Sequence, residues 1–569
     1  MECLVVKRQI TYSCVFPAGK DNLMDILKII PSKSSIAWLS YLLFKKGLMT
    51  SNQSELDFFI PLLFKMNAKL QREITDYLQC ITDELENYVF LDKASLLILI
   101  EYILENHNEN TEDILESKDD FSNLFIAYLI CCDERIHYST KDLASIKDAD
   151  SQVLHHLPVQ LKINDVIYPK DYRVEFIRFY CFMIFCEQDV EFKGYLKVFL
   201  KENQIEKWED YLHFVLHIYL RNTTNEEGAS NLMKIVPVRC YQKKLLHTMS
   251  IDINSFKRTA DFTGLRSKPI YCHGNNLYSI IFSNFFIDKM FQSFLFDLAS
   301  TLKEKGMNKI KNYPQFKQLV GERFTEKYLF YEIMEGCFSK TYKKLISGDE
   351  LRKKIGDGEP DFYIRKGKSI FLFEFKDVML NAKIKHCGNL EEIQREFLQS
   401  FELKTIEKSG KNQKHKDKGI TQLLNVIENY LTTIFQNLDR FEITDRFNVY
   451  PIIVYQDPCF DIEGFRYLLN DRFEKLKRSR VIPEDCFVKE FVMVPLEILI
   501  KLEDYFADGI LQLDILIDNY IVECKKSEQN KLLPFNKYIM RQAKEKGYRE
   551  GKSSRFQNIL NSFVEKKIE

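Results

Sequence analysis

The chain has 569 residues, 45% of them hydrophobic, and its 81 Lys and Arg against 82 Asp and Glu leave a formal net charge of -1. That length can bury large cores and sets a prior of roughly three to four domains or subdomains. A balance so close to neutral excludes a global positive field, so a polyanionic partner would have to be held by a local patch.

The amino terminus carries Glu2, Lys7 and Arg8 where a secretion signal would have an uninterrupted apolar core. The most apolar runs, Ala94 to Ile100 and Phe179 to Cys186, are too short to cross a bilayer of about 30 Å. The 14 cysteines include no Cys-x-x-Cys pair, and Cys131-Cys132 and Cys272-His273 lack the second half of a zinc site. They are expected to be reduced core residues of a cytoplasmic protein with no membrane partner.

From about Asn22 to Arg221 the apolar spacing is helical, with stretches such as Leu56 to Phe90 and Tyr172 to Cys186 separated by polar segments near residues 105–111 and 221–228. No fixed repeat period is present. Residues 1–235 are therefore expected to be an all-α region that binds a protein partner or activator. Beyond a break at 222–235, Lys268 to Tyr271 and Leu277 to Ile281 predict a hairpin, and Phe285 to Lys303 a phenylalanine-rich helix. Val320, Phe324 and Tyr328 form one stripe of a further helix, with Glu322 and Glu326 beside it.

Gly358-Glu359-Pro360-Asp361-Phe362-Tyr363 and Ser369 to Asp377 then predict two strands joined by a Gly-Lys turn. Strand alternation puts Ile370, Leu372, Glu374 and Lys376 on one face and Phe371, Phe373 and Phe375 on the other. Charges on an apolar face cost several kcal/mol unless paired, and Asp361 at the mouth of the neighbouring strand would add a second carboxylate. Two carboxylates and a backbone carbonyl, that of Phe375, make a hard oxygen site suited to Mg2+, with Mn2+ expected to substitute. Lys376 could orient an attacking water and neutralise charge on a scissile phosphate.

Further along, Ile420, Leu423, Leu424, Ile427, Leu431 and Ile434 form the apolar face of a helix, flanked by a polar stripe of Lys418, Gln422 and Asn425. Val449 to Tyr455 and Glu490 to Leu496 predict buried strands. Lys404, Lys408, Lys411, Lys414, Lys416 and Lys418, with His415, form a local basic patch ahead of that helix. The tail from residue 511 predicts a helix and then a basic stretch from Lys537 to Arg555, read first as a solvated helix end and second as a phosphate-contacting arm. No Gly-x-x-x-x-Gly-Lys-Ser/Thr loop or Gly-x-Ser-x-Gly elbow occurs.

Pro360-Asp361 followed by Glu374-Phe375-Lys376, in the order helix, strands, helix, strand, resembles the PD-(D/E)xK nuclease superfamily. The triplet alone carries little, since Glu191-Phe192-Lys193 repeats it with no Pro-Asp ahead. The resemblance implies an α+β protein in which residues 236–510 form a restriction-endonuclease-like core with a mixed central sheet, followed by a helical basic tail over 511–569. It implies Asp361, Glu374, Lys376, Glu326 and Gln422 as catalytic residues, with Glu322 the next choice after Glu326, and Asp361, Glu374, Glu326 and the Phe375 carbonyl as metal ligands. Position 426 is Val where one exonuclease-like subgroup has Tyr four residues after the glutamine. The expected activity is a Mg2+-dependent DNA endonuclease, DNA ahead of RNA, in a prokaryotic defence or genome-maintenance setting, with homo-oligomerisation left open. The alternative is a non-catalytic nucleic-acid- or protein-binding module of the same fold.

Overall fold

The structure is a computed structural model that describes residues 8–45, 52–108, 115, 117–144, 154, 156–224, 231–307, 310–356, 358–406, 414–441 and 446–568. It is a mixed α+β chain that divides into two compact units, one of residues 1–145, 166–175 and 194–306, the other of residues 146–165, 176–193 and 307–569.

The first unit is mostly helical, but its amino-terminal part is not all-α. The helix expected across Leu56 to Phe90 is interrupted: Asn52–Leu63 contains Pro61, Asn67 caps the next helix by accepting from the Leu70 N–H at 3.0 Å, and Tyr88–Val89 pairs in parallel with Arg8–Gln9. The expected hairpin is present as Ile270–Gly274 and Leu277–Ile280, and Met233–Lys234 joins it as a third strand. The phenylalanine-rich helix is two helices, Ser283–Ile287 and Gln292–Glu304, broken by a tight turn at Asp288–Met290. Ion pairs fix that turn, Lys170 to Asp288 at 2.5 Å and Lys289 to Asp297 at 3.0 Å.

The second unit is organised by one mixed sheet of strands β1 (Lys344–Ser347), β2 (Phe362–Lys366), β3 (Ser369–Lys376), β4 (Phe447–Tyr455), β5 (Cys486–Val488) and β6 (Val492–Pro495). β1, β2 and β3 form an antiparallel meander, and β4 runs parallel to β3 in continuous register from Asn448 opposite Ser369 to Tyr455 opposite Lys376. The short strands β5 and β6 pair in turn with the start and the end of β4. Gly367, at φ +59°, opens the Gly-Lys turn between β2 and β3 with a backbone conformation that most side chains avoid.

The expected alternation holds along β3. Ile370 and Leu372 join Tyr363 and Ile453 in a buried layer under helices α1 (Leu390–Phe401) and α2 (Gly419–Asn429), whose Ile420, Leu423, Leu424 and Ile427 face the sheet. On the opposite face Phe371 stacks on Tyr450 with centroids 4.8 Å apart, and Phe375 on Phe330 at 4.9 Å. The helix expected to continue to Ile434 ends at Asn429 and resumes as a π-helical turn, Leu431–Phe435. Gly419 begins α2 at φ +49°, where a Cβ would run into the Phe401 carbonyl oxygen. Gly367 has a similar φ, +59°, but open space around it. Gly419→Ala should therefore cost about 1–3 kcal/mol more stability than Gly367→Ala in urea unfolding, since backbone crowding adds to the conformational strain the two share.

Candidate active site

The turn at Gly367 sets the register that builds the site. Phe362 pairs with Phe373, so one step further along the ladder Asp361 comes opposite Glu374. Asp361 Oδ2 accepts the Phe375 N–H at 2.6 Å, and its carbonyl accepts the Gly348 N–H at 2.8 Å. Lys376 Nζ donates to Glu374 Oε1 at 2.5 Å. The Glu374 side chain is 3% exposed, and among the described residues its second oxygen, Oε2, is buried with no hydrogen-bond partner.

These groups perturb one another as close charges should. Burial, helped by Asp361, pushes the Glu374 carboxyl up to about 8, against the opposing pull of Lys376. Burial pushes Asp361 up to about 6, with Lys376 and the Phe375 N–H acting the other way. For Lys376 burial acts downward, but Glu374 and Asp361 outweigh it and hold the ammonium above its ordinary value. Glu326, raised to about 8 by burial and by Asp361, belongs to the same cluster.

Glu326 arrives on a segment that differs from the expected α-helix. After Tyr313–Val320 the backbone is π-helical over Gly321–Leu329 before α-helix resumes at Phe330–Phe338. The stripe of Val320, Phe324 and Tyr328 still faces inward, with Phe324 against Phe182 and Phe185. Thr325 Oγ1 donates to Asp377 Oδ2 at 2.7 Å, and Lys317 Nζ pairs with Asp377 Oδ1 at 2.7 Å. Sequence reasoning read Asp377 only as the end of the strand and did not single out Lys317 or Thr325. It also passed over Gly348 and Tyr331. A Cβ on Gly348 would lie 3.0 Å from both the Asp361 carbonyl and the Tyr331 hydroxyl, and burial and Asp361 raise the Tyr331 phenol above its usual value.

Other predicted residues fall elsewhere or act differently. Glu322 is exposed and accepts from Gln318 at 2.8 Å. Gln422 Nε2 donates to the Glu359 carbonyl at 2.5 Å, so this side chain holds the Glu359-Pro360 loop that delivers Asp361. The Phe375 ring is buried. The repeated triplet Glu191-Phe192-Lys193 lies in the helix Val190–Glu202, with Glu191 paired to Arg323 at 2.8 Å and Phe192 buried.

The lysine patch is a backbone hairpin, Leu403–Ile406 against Lys414–Asp417, in which Lys404 pairs with Lys416 and Lys414 with Ile406. Lys408 and Lys411 lie outside the described residues. Lys418, half-buried, precedes α2 and donates its N–H to the Glu402 carbonyl at 3.1 Å. In the basic tail, Lys537 binds Glu463 at 2.5 Å and Arg555 binds Glu503 at 2.6 Å, so both are committed within the unit. Lys544, Lys546, Arg549 and Lys552 are exposed. Cys131, Cys132, Cys181, Cys186, Cys337, Cys459 and Cys524 are buried, as expected of core cysteines, whereas Cys14, Cys80, Cys240 and Cys387 are exposed.

Among the described residues no three His, Cys, Asp or Glu side chains converge tightly enough to cage an ion by themselves. Mg2+ does not require such a cage, since it commonly keeps several waters and takes one or two carboxylates plus substrate phosphate. The orphaned Glu374 Oε2 beside Asp361 fits that demand. Compared with known proteins, the chain matches no family model, no curated protein and no solved structure. No helix among the described residues is long and apolar enough to cross a membrane.

The raised Glu374 value carries a consequence for stability. Its folded value of about 8 lies above the unfolded carboxyl value, which is about 4.3. The folded protein thus holds the extra proton, and with divalent ions chelated stability falls as pH rises between those two values. Glu374→Gln should flatten this fall, so that the variant gains on the parent from pH 5 to pH 8 in urea unfolding. Parallel pH dependences would contradict the assignment.

Proposed function

We propose that the second unit is a Mg2+-dependent phosphodiester hydrolase of the PD-(D/E)xK type, acting on DNA ahead of RNA. The observation that carries this reading is the unpartnered, buried Glu374 Oε2 within a cluster that also holds Asp361, Lys376 and Glu326. An antiparallel meander followed by a helix and a parallel strand, with the charges at the carboxyl end of β3, supports the same reading.

Asp361 and Glu374 would hold the cation, with Glu326 as an outer carboxylate and the Phe375 carbonyl as a further ligand. A bound Mg2+ would polarise the scissile phosphate and stabilise hydroxide at neutral pH. Lys376, which pairs with Glu374, would orient the attacking water and offset charge building on the phosphate. Gln422 secures the loop before Asp361, so its contribution is to geometry. The lysines at 404, 408, 411, 414, 416 and 418 are proposed as the approach surface for the polyanion, and the helical unit as the seat of a protein partner or activator. A defence or genome-maintenance setting follows from that layout by analogy alone.

A second reading has one observation in its favour. The Lys376–Glu374 pair already neutralises part of the buried charge, as it would in a non-catalytic binding module of the same fold. Cleavage of plasmid, linear duplex, single-stranded DNA and RNA in parallel, with Mg2+ and with Mn2+, separates the two. Asp361→Ala should abolish cleavage, and a fully active variant would refute the site. Lys376→Met should lose at least about 100-fold in rate with nucleic-acid binding changed much less. Neutralising several of the lysines between Lys404 and Lys418 should weaken binding and flatten its salt dependence, because fewer counterions are released. An unchanged salt slope would remove that hairpin from the interface.

A further inference from the structure

Asp377 lies directly after Lys376, yet its carboxylate turns away from the charge cluster toward the preceding helix. There it accepts the Thr325 hydroxyl at 2.7 Å and pairs with Lys317 at 2.7 Å, both side chains of the ion pair being 8% exposed. A buried ion pair brings little net stability once desolvation is counted. Its geometric effect is larger. Thr325 is the residue before Glu326, it is fully buried, and it lies in the π-helical stretch Gly321–Leu329. Widened helical turns of this kind are frequent at functional sites, and the Thr325 hydroxyl also lies 3.1 Å from the Gly321 carbonyl, within the same turn.

We propose that Asp377 is a positioning residue: through Thr325 and Lys317 it ties the end of β3 to the π-helical turn, and so fixes Glu326 relative to Asp361, Glu374 and Lys376. The consecutive residues Lys376 and Asp377 then have opposite tasks, one facing the reacting groups and the other anchoring the carboxylate that completes them. This inference rests on the hydrolase reading. It adds a claim which that reading does not contain, that the cation affinity contributed by Glu326 depends on a hydroxyl touching neither cation nor substrate.

Thr325→Val keeps the shape of a buried side chain and removes the hydroxyl, whereas Thr325→Ser keeps it. Mn2+ affinity by calorimetry should fall about tenfold in Thr325→Val, in the range expected when a supporting hydrogen bond behind a ligand is lost, and stay near the parent value in Thr325→Ser. Without metal, hydrogen exchange of the 321–329 amides should quicken in Thr325→Val, while thermal unfolding of the rest of the unit changes little. In a Glu326→Gln background the same Thr325→Val change should have no further effect on Mn2+ affinity, because both act through one group. Additive losses in that double variant, or equal losses in Thr325→Val and Thr325→Ser, would overturn the positioning role while leaving the hydrolase reading intact. A parent protein that neither binds Mn2+ nor cleaves nucleic acid would overturn both.

Discussion

The constraint on which the second unit depends is the crowding of three carboxylates and one ammonium around the carboxyl end of β3, where Glu374 is buried and Asp361, Glu326 and Lys376 are half-buried. Charges in such a place are costly unless paired or hydrogen-bonded, and the surrounding contacts come from the end of β3, from Gly348 and from α2. The Phe375 N–H serves Asp361, Lys376 serves Glu374, and Gly348 holds the backbone of Asp361. Gln422 secures the loop before Asp361, and Asp377 secures the turn before Glu326. Among the described residues, Glu374 Oε2 is buried without a hydrogen-bond donor.

The near-neutral composition makes the location of positive charge decisive. Much of the conspicuous basic tail is consumed internally, with Lys537 on Glu463, Arg541 facing Glu523 at 3.6 Å and Arg555 bridging Glu503 and Glu332. Those contacts turn an apparent interaction arm into bracing for the helices around the sheet. Gly336 shows how close the bracing is, because a Cβ there would collide with the Glu503 carboxylate. The tail residues Lys544, Lys546, Arg549 and Lys552 are left exposed.

Much of the sheet was legible in the sequence because its signals are local. Alternation along Ser369 to Lys376, the glycine of the turn and the apolar face of α2 each depend on residues a few positions apart. Pro360-Asp361 and Glu374-Phe375-Lys376 likewise sit close enough for a hairpin to bring them together. The missed features depend on distant pairs. Lys317 and Asp377 are 60 positions apart, and Arg555 reaches Glu332 across 223, so neither is visible in any window of helical or strand periodicity. The π-helical turn left no signal for a related reason: Thr325 meets Asp377 across 52 positions, while the stripe of Val320, Phe324 and Tyr328 reads as an ordinary helix. Met233–Lys234 was passed over because two residues carry no alternation to detect.

The most direct test of the account is the anomalous diffraction of crystals grown with Mn2+ and measured at the manganese absorption edge. An anomalous peak is expected against the carboxylates of Asp361 and Glu374, with Glu374 Oε2 among its ligands and the Lys376 ammonium displaced from Glu374. Crystals with saturating Mn2+ that show no peak there, and Lys376 still bound to Glu374 Oε1, would contradict it.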